Sequence, residues 1–341
     1  MSHVCMTPIT SPKAWRGETL ARETSWIVTL TDAEIADVDR ALAAAKASGL
    51  PLESIQRELF PLTVLRAKLE GAVAEMYEGR GFVVLRGLPV RRYRDEDVGL
   101  IFWGFGRYMG APLYQNPQGE LLGHVYDHGR TYGNIDVRGY ETNAYLPYHT
   151  DAGDVVGLLC LRRSLEGGLS SIVSSTTVHN EILAQHPEYL GLLYNGYYYI
   201  RREAALTERG VSERPIPVFG YQDGLVSCRY IRNQINAGAV KREVPLTTFE
   251  RAALDFLDEQ TRRPDLRLDM DLEPGDIQFI NNYTVLHSRT GFVDGPELDQ
   301  KRHMLRLWLK FPKRWPLSPE FPTHMGYKPS QDTPELIEAE R

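Results

Sequence analysis

The chain has 341 residues, of which 42% are hydrophobic and 25% are charged, and its net charge at pH 7 is −6. This composition is typical of a globular protein and excludes a predominantly disordered chain. We expect no nucleic-acid partner, because phosphate binding needs a basic surface and the Lys and Arg residues are scattered. The expected organisation is an N-terminal arm (1–30), one main domain with helical additions (31–311) and a C-terminal wrap (312–341).

The cysteines and the N-terminal residues indicate the cellular compartment to expect. Cys5, Cys160 and Cys228 form no CxxC pair, so neither a disulfide framework nor a cysteine-rich zinc site is indicated. The first residues lack the basic start and apolar stretch of a signal peptide, and no run approaches the roughly 18 apolar residues of a membrane helix. We therefore expect a cytoplasmic protein with no membrane partner. The sequence leaves assembly into a homo-oligomer open.

The first third of the chain predicts helices around one strand. Thr31 and Glu34 form a capping box ahead of an alanine-rich run. Apolar residues recur every three to four positions over 62–78, which indicates a second helix. The run GFVVLRG at 81–87 predicts a buried strand, and a further helix is expected over 95–108.

From about residue 140 onward, short β-like runs are separated by glycine, proline and asparagine. Helical insertions near 177–186 and 248–261 interrupt them, and a capping box of Thr247 and Glu250 precedes the second insertion. The predicted strands are VVGLLCL, SSIVSS, PVFGY, LVSCRYI, DIQFIN and HMLRLWLKF. The sequence thus predicts a mainly β fold with flanking helices.

A metal site is predicted at His149-Thr150-Asp151. In an extended segment, residues i and i+2 lie on the same side, so His149 and Asp151 can offer ligand atoms to one ion. The best-placed third ligand is His287, in the run NNYTVLHSRTGF. Two histidines and one carboxylate suit non-haem Fe(II) and leave positions open for substrate and dioxygen, whereas structural zinc sites fill all four positions. By itself an HxD motif is more often a surface pair or a hydrogen-bonded core pair.

Two arginines on the predicted strand 301–311 strengthen the metal hypothesis. With a period of two residues, Arg302 and Arg306 share one face, while leucines occupy the other. A buried guanidinium needs an anionic partner, and its planar fork suits a carboxylate. The two positions lie roughly 13 Å apart at about 3.3 Å per residue, so two separate anion contacts are expected. Structural ion pairs with neighbouring strands are the alternative interpretation.

In this order, these residues resemble the taurine dioxygenase and clavaminate synthase-like family of Fe(II)/2-oxoglutarate-dependent oxygenases. The triplet 149–151 resembles the HxD motif of that family, His287 its distal histidine, and Arg302 its arginine for the distal carboxylate of 2-oxoglutarate. The segment Gly167-Gly168-Leu169-Ser170 lies where the family has a Gly-Gly turn followed by a Thr or Ser that binds the co-substrate. The resemblance covers about 80–311.

The resemblance implies a double-stranded β-helix, which is a distorted jelly roll, with helices packed outside. It implies Fe(II) on the three predicted ligands, 2-oxoglutarate as co-substrate, and dioxygen. The implied reaction oxidises a C–H bond of a small molecule, by default to a hydroxyl group, and yields succinate and CO2. Arg306 aligns with a position that binds an acidic group of the substrate or braces the co-substrate. Ser171 follows Ser170, so which of the two hydroxyl groups contacts the co-substrate is open.

Two further substrate-binding candidates come from the segment 229–236, which is rich in hydrogen-bonding groups: Arg232 and Asn233. An ordinary strand-and-turn role for them is the alternative. Two other functions also stay open at this point. An iron oxygenase or oxidase whose substrate itself supplies the electrons would turn over fully without 2-oxoglutarate. A non-catalytic jelly-roll binding protein would hold no metal or a zinc ion with no open position.

Overall fold

The longest strands come from two apolar runs of the C-terminal half, VVGLLCL and HMLRLWLKF. A computed structural model describes residues 3–116, 118–131, 137, 139–200 and 210–322. Its α-helices are α1 (Gly17–Leu20), α2 (Asp32–Ala47), α3 (Arg66–Tyr77), α4 (Asp95–Met109), α5 (Ser175–Gln185), α6 (Pro187–Asn195), α7 (Arg232–Lys241) and α8 (Thr248–Arg262). Its strands are β1 (Ile27–Thr29), β2 (Phe82–Arg86), β3 (Ala111–Pro112), β4 (Leu122–Val125), β5 (Leu146–His149), β6 (Val155–Arg162), β7 (Glu166–Gly167), β8 (Ser170–Ser174), β9 (Phe219–Gln222), β10 (Leu225–Cys228), β11 (Arg267–Met270), β12 (Ile277–Asn281), β13 (Val285–Arg289), β14 (Phe292–Val293) and β15 (His303–Lys310).

Two main sheets form the centre of the molecule. The larger sheet has the order β1-β2-β12-β6-β15-β3, and β4 also pairs with β15. The smaller sheet has the order β11-β8-β13-β5. Apolar side chains of β2, β6, β12 and β15 meet those of β8, β11 and β13 in one layer between the sheets. The strand β15, which carries Arg306, therefore faces the strands that carry the predicted metal ligands.

Helices cover the outer face of each sheet. Apolar side chains of α2, α3 and α4 pack on the larger sheet, and those of α5, α6 and α8 pack on the smaller one. Both predicted capping boxes are present, at Thr31 with Glu34 and at Thr247 with Glu250. This arrangement confirms the predicted β-rich fold with flanking helices. No helix of the described residues is long and apolar enough to cross a membrane.

The expected arm and wrap are packed against the central sheets where the structure describes them. Strand β1 pairs in parallel with β2 at the edge of the larger sheet, and the ring of Trp15 lies 5.3 Å from that of Phe82. In the C-terminal segment, the ring of Trp315 stacks on that of Tyr283 at 5.8 Å. The predicted wrap from 323 to 341 lies outside the described residues.

Candidate active site

The three predicted metal ligands lie close together at the smaller sheet, with the two histidines on its strands and Asp151 two residues beyond the end of β5. His149 on β5 is directly opposite His287 on β13, and their ring centroids are 4.3 Å apart. The Asp151 carboxylate oxygens lie 3.8 Å from the Nε2 atom of each histidine, Oδ1 from His149 and Oδ2 from His287. One ligand atom of each residue lies within 4.8 Å of the other two. The pairing of β5 with β13 thus gives three ligands that one ion can share.

Neighbouring groups orient two of these residues, His149 and Asp151. The Nδ1 atom of His149 lies 2.8 Å from the carbonyl oxygen of Pro147. Because a carbonyl oxygen only accepts, Nδ1 carries the hydrogen, and the lone pair is on Nε2, toward Asp151. The backbone of Asp151 is held by the Asn282 amide, which accepts from the Asp151 N–H at 2.9 Å and donates to its carbonyl oxygen at 2.7 Å. Such supporting contacts are typical of metal-binding sites.

The local charges favour the protonation states that metal binding requires. Burial by itself raises the pKa of the Asp151 carboxyl, but the positive charge of Arg306 and the two imidazoles outweigh it, and the pKa falls to about 2. Burial, together with the neighbouring His149, lowers the pKa of His287 to about 3. At neutral pH the carboxyl group is therefore ionised and the His287 ring is neutral, and both can donate an electron pair to a cation.

Arg306 is buried beside the predicted metal ligands. Its Nε atom donates to Gln115 Oε1 at 2.7 Å, and its Nη1 atom lies 3.3 Å from Asp151 Oδ2. The guanidinium lies between the rings of Tyr140 and Trp308, at 4.7 and 4.5 Å from their centroids. An ion pair, the alternative interpretation from the sequence, is therefore present at Arg306, and its partner is a predicted metal ligand.

Arg302 is as buried as Arg306 but differs from it in its contacts. Its Nη1 atom is buried without a hydrogen-bond partner in the described part of the chain. The guanidinium lies 5.4 Å from the ring of Phe292. Burial lowers the pKa of Arg302 to about 10, so it is still charged at neutral pH. A buried guanidinium with an unsatisfied donor is unfavourable, which indicates that this side chain is placed for an anionic ligand.

One cavity joins the predicted metal ligands to both arginines. Ser170 also lines it. The Ser170 hydroxyl donates to Gln278 Oε1 at 3.2 Å. Ser171, the next residue of β8, lies on the opposite face of its strand and donates to Asp269 Oδ1 at 2.5 Å. The rest of the wall is mostly apolar and includes Val125, Tyr140, Leu146, Leu158, Leu272 and Met304.

The predicted Gly-Gly turn lies against Arg302. Both Gly167 and Gly168 adopt positive φ angles, +72° and +74°, which favour glycine. A Cβ atom on Gly168 would lie 3.1 Å from the Cδ and Nε atoms of Arg302. The absence of a side chain at 168 thus lets the arginine approach the turn that leads into β8.

The structure does not place Arg232 and Asn233 at this cavity. The guanidinium of Arg232 pairs with Asp255 at 2.7 Å and with Asp258 at 3.0 Å. Asn233 is exposed on α7, where the sequence suggested strand and turn. The substrate-binding role predicted for these two residues has no support in this geometry.

Four residues around the cavity were not identified from the sequence: Ser288, Arg289, Gln115 and Trp308. Ser288 and Arg289 line the cavity, and Arg289 donates to the carbonyl oxygen of Ala144. Arg289 follows His287 by two residues on one strand, so the two-residue period could have indicated it. Gln115 and Trp308 act through contacts with Arg306 and Asp151, which no local pattern predicts.

Two comparisons of sequence agree with this site. The pattern of the "Taurine catabolism dioxygenase TauD, TfdA family" matches residues 47–308. The chain is 30% identical to "FR-33289 synthase" of Streptomyces rubellomurinus over 91% of this chain and 92% of that protein. It is 31% identical to "Taurine hydroxylase-like protein SAT17" of Stachybotrys chartarum over 86% of this chain and 77% of that protein.

A solved structure shares the fold. Asparagine oxygenase in complex with Fe(II), 2S,3S-3-hydroxyasparagine and succinate superposes with a TM-score of 0.65. The match covers 83% of this chain and 93% of that one, at 19% sequence identity. At this identity the likeness establishes a common fold.

Proposed function

The chain belongs to the taurine catabolism dioxygenase TauD, TfdA family, and it is an Fe(II)- and 2-oxoglutarate-dependent dioxygenase; on that premise we propose which residues carry the reaction. His149, Asp151 and His287 bind the iron, and Arg302 with Ser170 binds the distal carboxylate of 2-oxoglutarate. The observation that carries this proposal is a buried arginine, Arg302, whose Nη1 atom has no hydrogen-bond partner among the described residues and which lines the same cavity as His149, Asp151 and His287.

The residues present suit both groups. Two imidazole nitrogens and one carboxylate are the donor set that non-haem Fe(II) prefers, with positions left open. When bound, Fe(II) and 2-oxoglutarate activate dioxygen for oxidation of a C–H bond of the substrate, with release of succinate and CO2. The protein holds the ligands in place and keeps water away with the apolar walls around Leu158 and Met304.

Arg302 and Ser170 form the proposed carboxylate site. A guanidinium can bind a carboxylate through two parallel hydrogen bonds, and such a ligand would satisfy the free Nη1 donor of Arg302. Ser170 can add a third hydrogen bond, because its hydroxyl lines the cavity. Ser171 is unsuited, since its hydroxyl lies on the other face of β8 with Asp269.

The substrate is proposed to be a small molecule with an acidic group near Arg306. That guanidinium lines the cavity beside the metal ligands, and a cation in a largely apolar wall favours an anion. Bracing of the co-substrate by the same charge is the second role that this position suits. In this proposal the two facing sheets are the distorted jelly roll. The cytoplasmic location and the assembly state stay predictions.

An optical experiment tests the proposal. Anaerobic protein is mixed with Fe(II), and its visible spectrum is recorded before and after addition of 2-oxoglutarate. We expect a weak charge-transfer band with the wild-type protein and none with His287→Ala. His179→Gln is the matched control, because His179 is also buried but lies in the apolar layer around α5 and α6.

Each result has a clear meaning. A band in wild type and His179→Gln that is lost in His287→Ala supports the triad and the co-substrate together. Well-folded wild-type protein that gives no band, or a band that survives in His287→Ala, contradicts the assignment. Fe(II)-dependent conversion of 2-oxoglutarate to succinate, measured in parallel, checks the reaction itself.

A further inference from the structure

We propose that Trp308 is a positioning residue that fixes the orientation of the Asp151 carboxylate for metal binding. The inference rests on the proposed role of the triad. The indole N–H of Trp308 donates to Oδ2 of Asp151 at 2.8 Å, and Arg306 approaches the same oxygen at 3.3 Å. Because two donors hold Oδ2, the other oxygen is left to bind the ion. That oxygen, Oδ1, lies 3.8 Å from Nε2 of His149.

Hydrogen bonds already fix the backbone around Asp151. Rotation of its carboxylate group is therefore the degree of freedom that a further contact can restrict. Asn282 bonds to the N–H and the carbonyl group of Asp151 and also to the carbonyl oxygen of Gly153. Thr150 is paired with the backbone of Tyr230, through its own N–H at 2.9 Å and through its hydroxyl at 3.1 Å. These contacts place the Cα atom of Asp151 but do not contact its carboxylate, whereas the indole does.

The close approach of Trp308 depends on a glycine. A Cβ atom on Gly153 would lie 2.9 Å from the Cβ atom of Trp308, closer than such atoms approach in folded proteins. Any side chain at 153 would therefore displace either the indole or the segment that carries Asp151. This contact explains the glycine two residues after the aspartate and links it to the orientation of the carboxylate.

The acceptor of Trp308 differs in kind from those of the other tryptophans. The chain contains five tryptophans. The indole donors of the other four go to uncharged oxygens: Trp15 to Arg80 O, Trp26 to Glu23 O, Trp103 to Ile55 O and Trp315 to Ser227 Oγ. Only the indole of Trp308 donates to a carboxylate. The five indoles thus provide one test group and four internal controls.

The first experiment uses the wild-type protein. Apoprotein with ¹⁵N-labelled tryptophan side chains is titrated with Zn(II), a diamagnetic probe of the triad, and the five indole N–H resonances are followed. We expect the Trp308 resonance to shift on metal binding and the other four to stay in place, because only the acceptor of Trp308 becomes a metal ligand. A titration that saturates without moving the Trp308 resonance would overturn the proposal.

The second experiment measures Co(II) affinity calorimetrically in Trp308→Phe and in the matched control Trp315→Phe. Both substitutions remove a buried indole donor and keep an aromatic ring. Loss of a supporting contact to a metal ligand weakens binding roughly 10- to 100-fold, which we expect for Trp308→Phe alone. Affinities of the two variants within a factor of two of each other would contradict the inference. If Trp308→Phe does not fold, the resonance titration decides the matter.

These experiments separate the inference from the function on which it rests. If His287→Ala binds Co(II) as tightly as the wild type does, the triad is not the metal site and the proposed function fails. If His287→Ala loses the metal while Trp308→Phe keeps it, the function stands and the positioning role is wrong. A shift of the Co(II) visible spectrum in Trp308→Phe would show a changed ligand arrangement, which lost packing alone does not produce.

Discussion

Arg232 and Arg302 differ in the groups that surround their guanidinium charges. Arg232 is held by two carboxylates of its own chain, Asp255 and Asp258, on the side of the molecule formed by α7 and α8. Arg302 lies in the cavity, and its Nη1 atom has no hydrogen-bond partner in the residues that the structure describes. The guanidinium of Arg232 is already paired on the protein surface layer of α7 and α8, whereas that of Arg302 has a free donor in the cavity. Both were predicted to bind ligands, and only the second has a suitable setting.

Arg302→Gln should show the largest effect. Removing one partner of a buried charge pair costs about 3 kcal/mol, which corresponds to about a 100-fold weaker binding of 2-oxoglutarate. The stability of the ligand-free protein should not fall, because the substitution removes a buried charge with an unsatisfied donor. Titration of 2-oxoglutarate into the Fe(II) protein gives the affinity, and Arg302→Lys tests the need for a planar fork. Unchanged affinity in both variants would refute the carboxylate role.

Arg232→Gln should show the opposite pattern. The substitution leaves Asp258, which is partly buried, with less compensation, and we expect a loss of about 2 kcal/mol in the free energy of unfolding. The affinity for 2-oxoglutarate and the KM for the substrate should stay as in wild type, since Arg232 is not at the cavity. Urea unfolding and steady-state kinetics check the two halves. A raised KM with unchanged stability would return Arg232 to the substrate site.

His179 is a buried polar residue outside the cavity, so it should affect the stability of the protein and not ligand binding. Its ring lies against Tyr194 and Phe219, and burial lowers its pKa to about 4. The unfolded chain binds the extra proton from about pH 6.5 downward, so this contribution to stability is present above pH 6.5 and is lost as the pH falls toward 4. Between pH 7 and pH 5 the loss should be about 2 kcal/mol.

The measurement is urea unfolding of metal-free protein at both pH values. His179→Gln should lose less stability over this range than wild type does, by about the same 2 kcal/mol. An equal loss in the two proteins would mean that other groups carry the acid sensitivity.

The smallest expected effect separates two adjacent serines. Ser170→Ala should raise the KM for 2-oxoglutarate about fivefold, because one hydrogen bond of about 1 kcal/mol is lost. Ser171→Ala should leave that KM unchanged, since its hydroxyl bonds to Asp269 on the other face of the strand. A larger effect from Ser171→Ala would reverse the assignment made from the cavity.

Much of the fold followed from local patterns. The capping boxes at Thr31 and Thr247 predicted the starts of α2 and α8, because a side-chain oxygen and a glutamate three residues later satisfy free N–H groups locally. Apolar runs likewise predicted β6, β12 and β15. The helix α7 was missed, since its residues at 232–241 carry no clear apolar period, and its position is set by packing on the smaller sheet's helical layer.

Some features of the candidate site were likewise predictable from local sequence, and others depended on the tertiary structure. The sequence by itself determined the types and spacing of the predicted metal ligands at 149, 151 and 287, together with an arginine face on one strand, because chemistry and the two-residue period are local properties. Only the tertiary structure decided that Arg306 pairs with Asp151, that Arg232 meets Asp255 and Asp258, and that Trp308 reaches Asp151. Those partners are 23 to 157 residues apart, and whether a charge is compensated depends on which distant strands and helices the fold brings together.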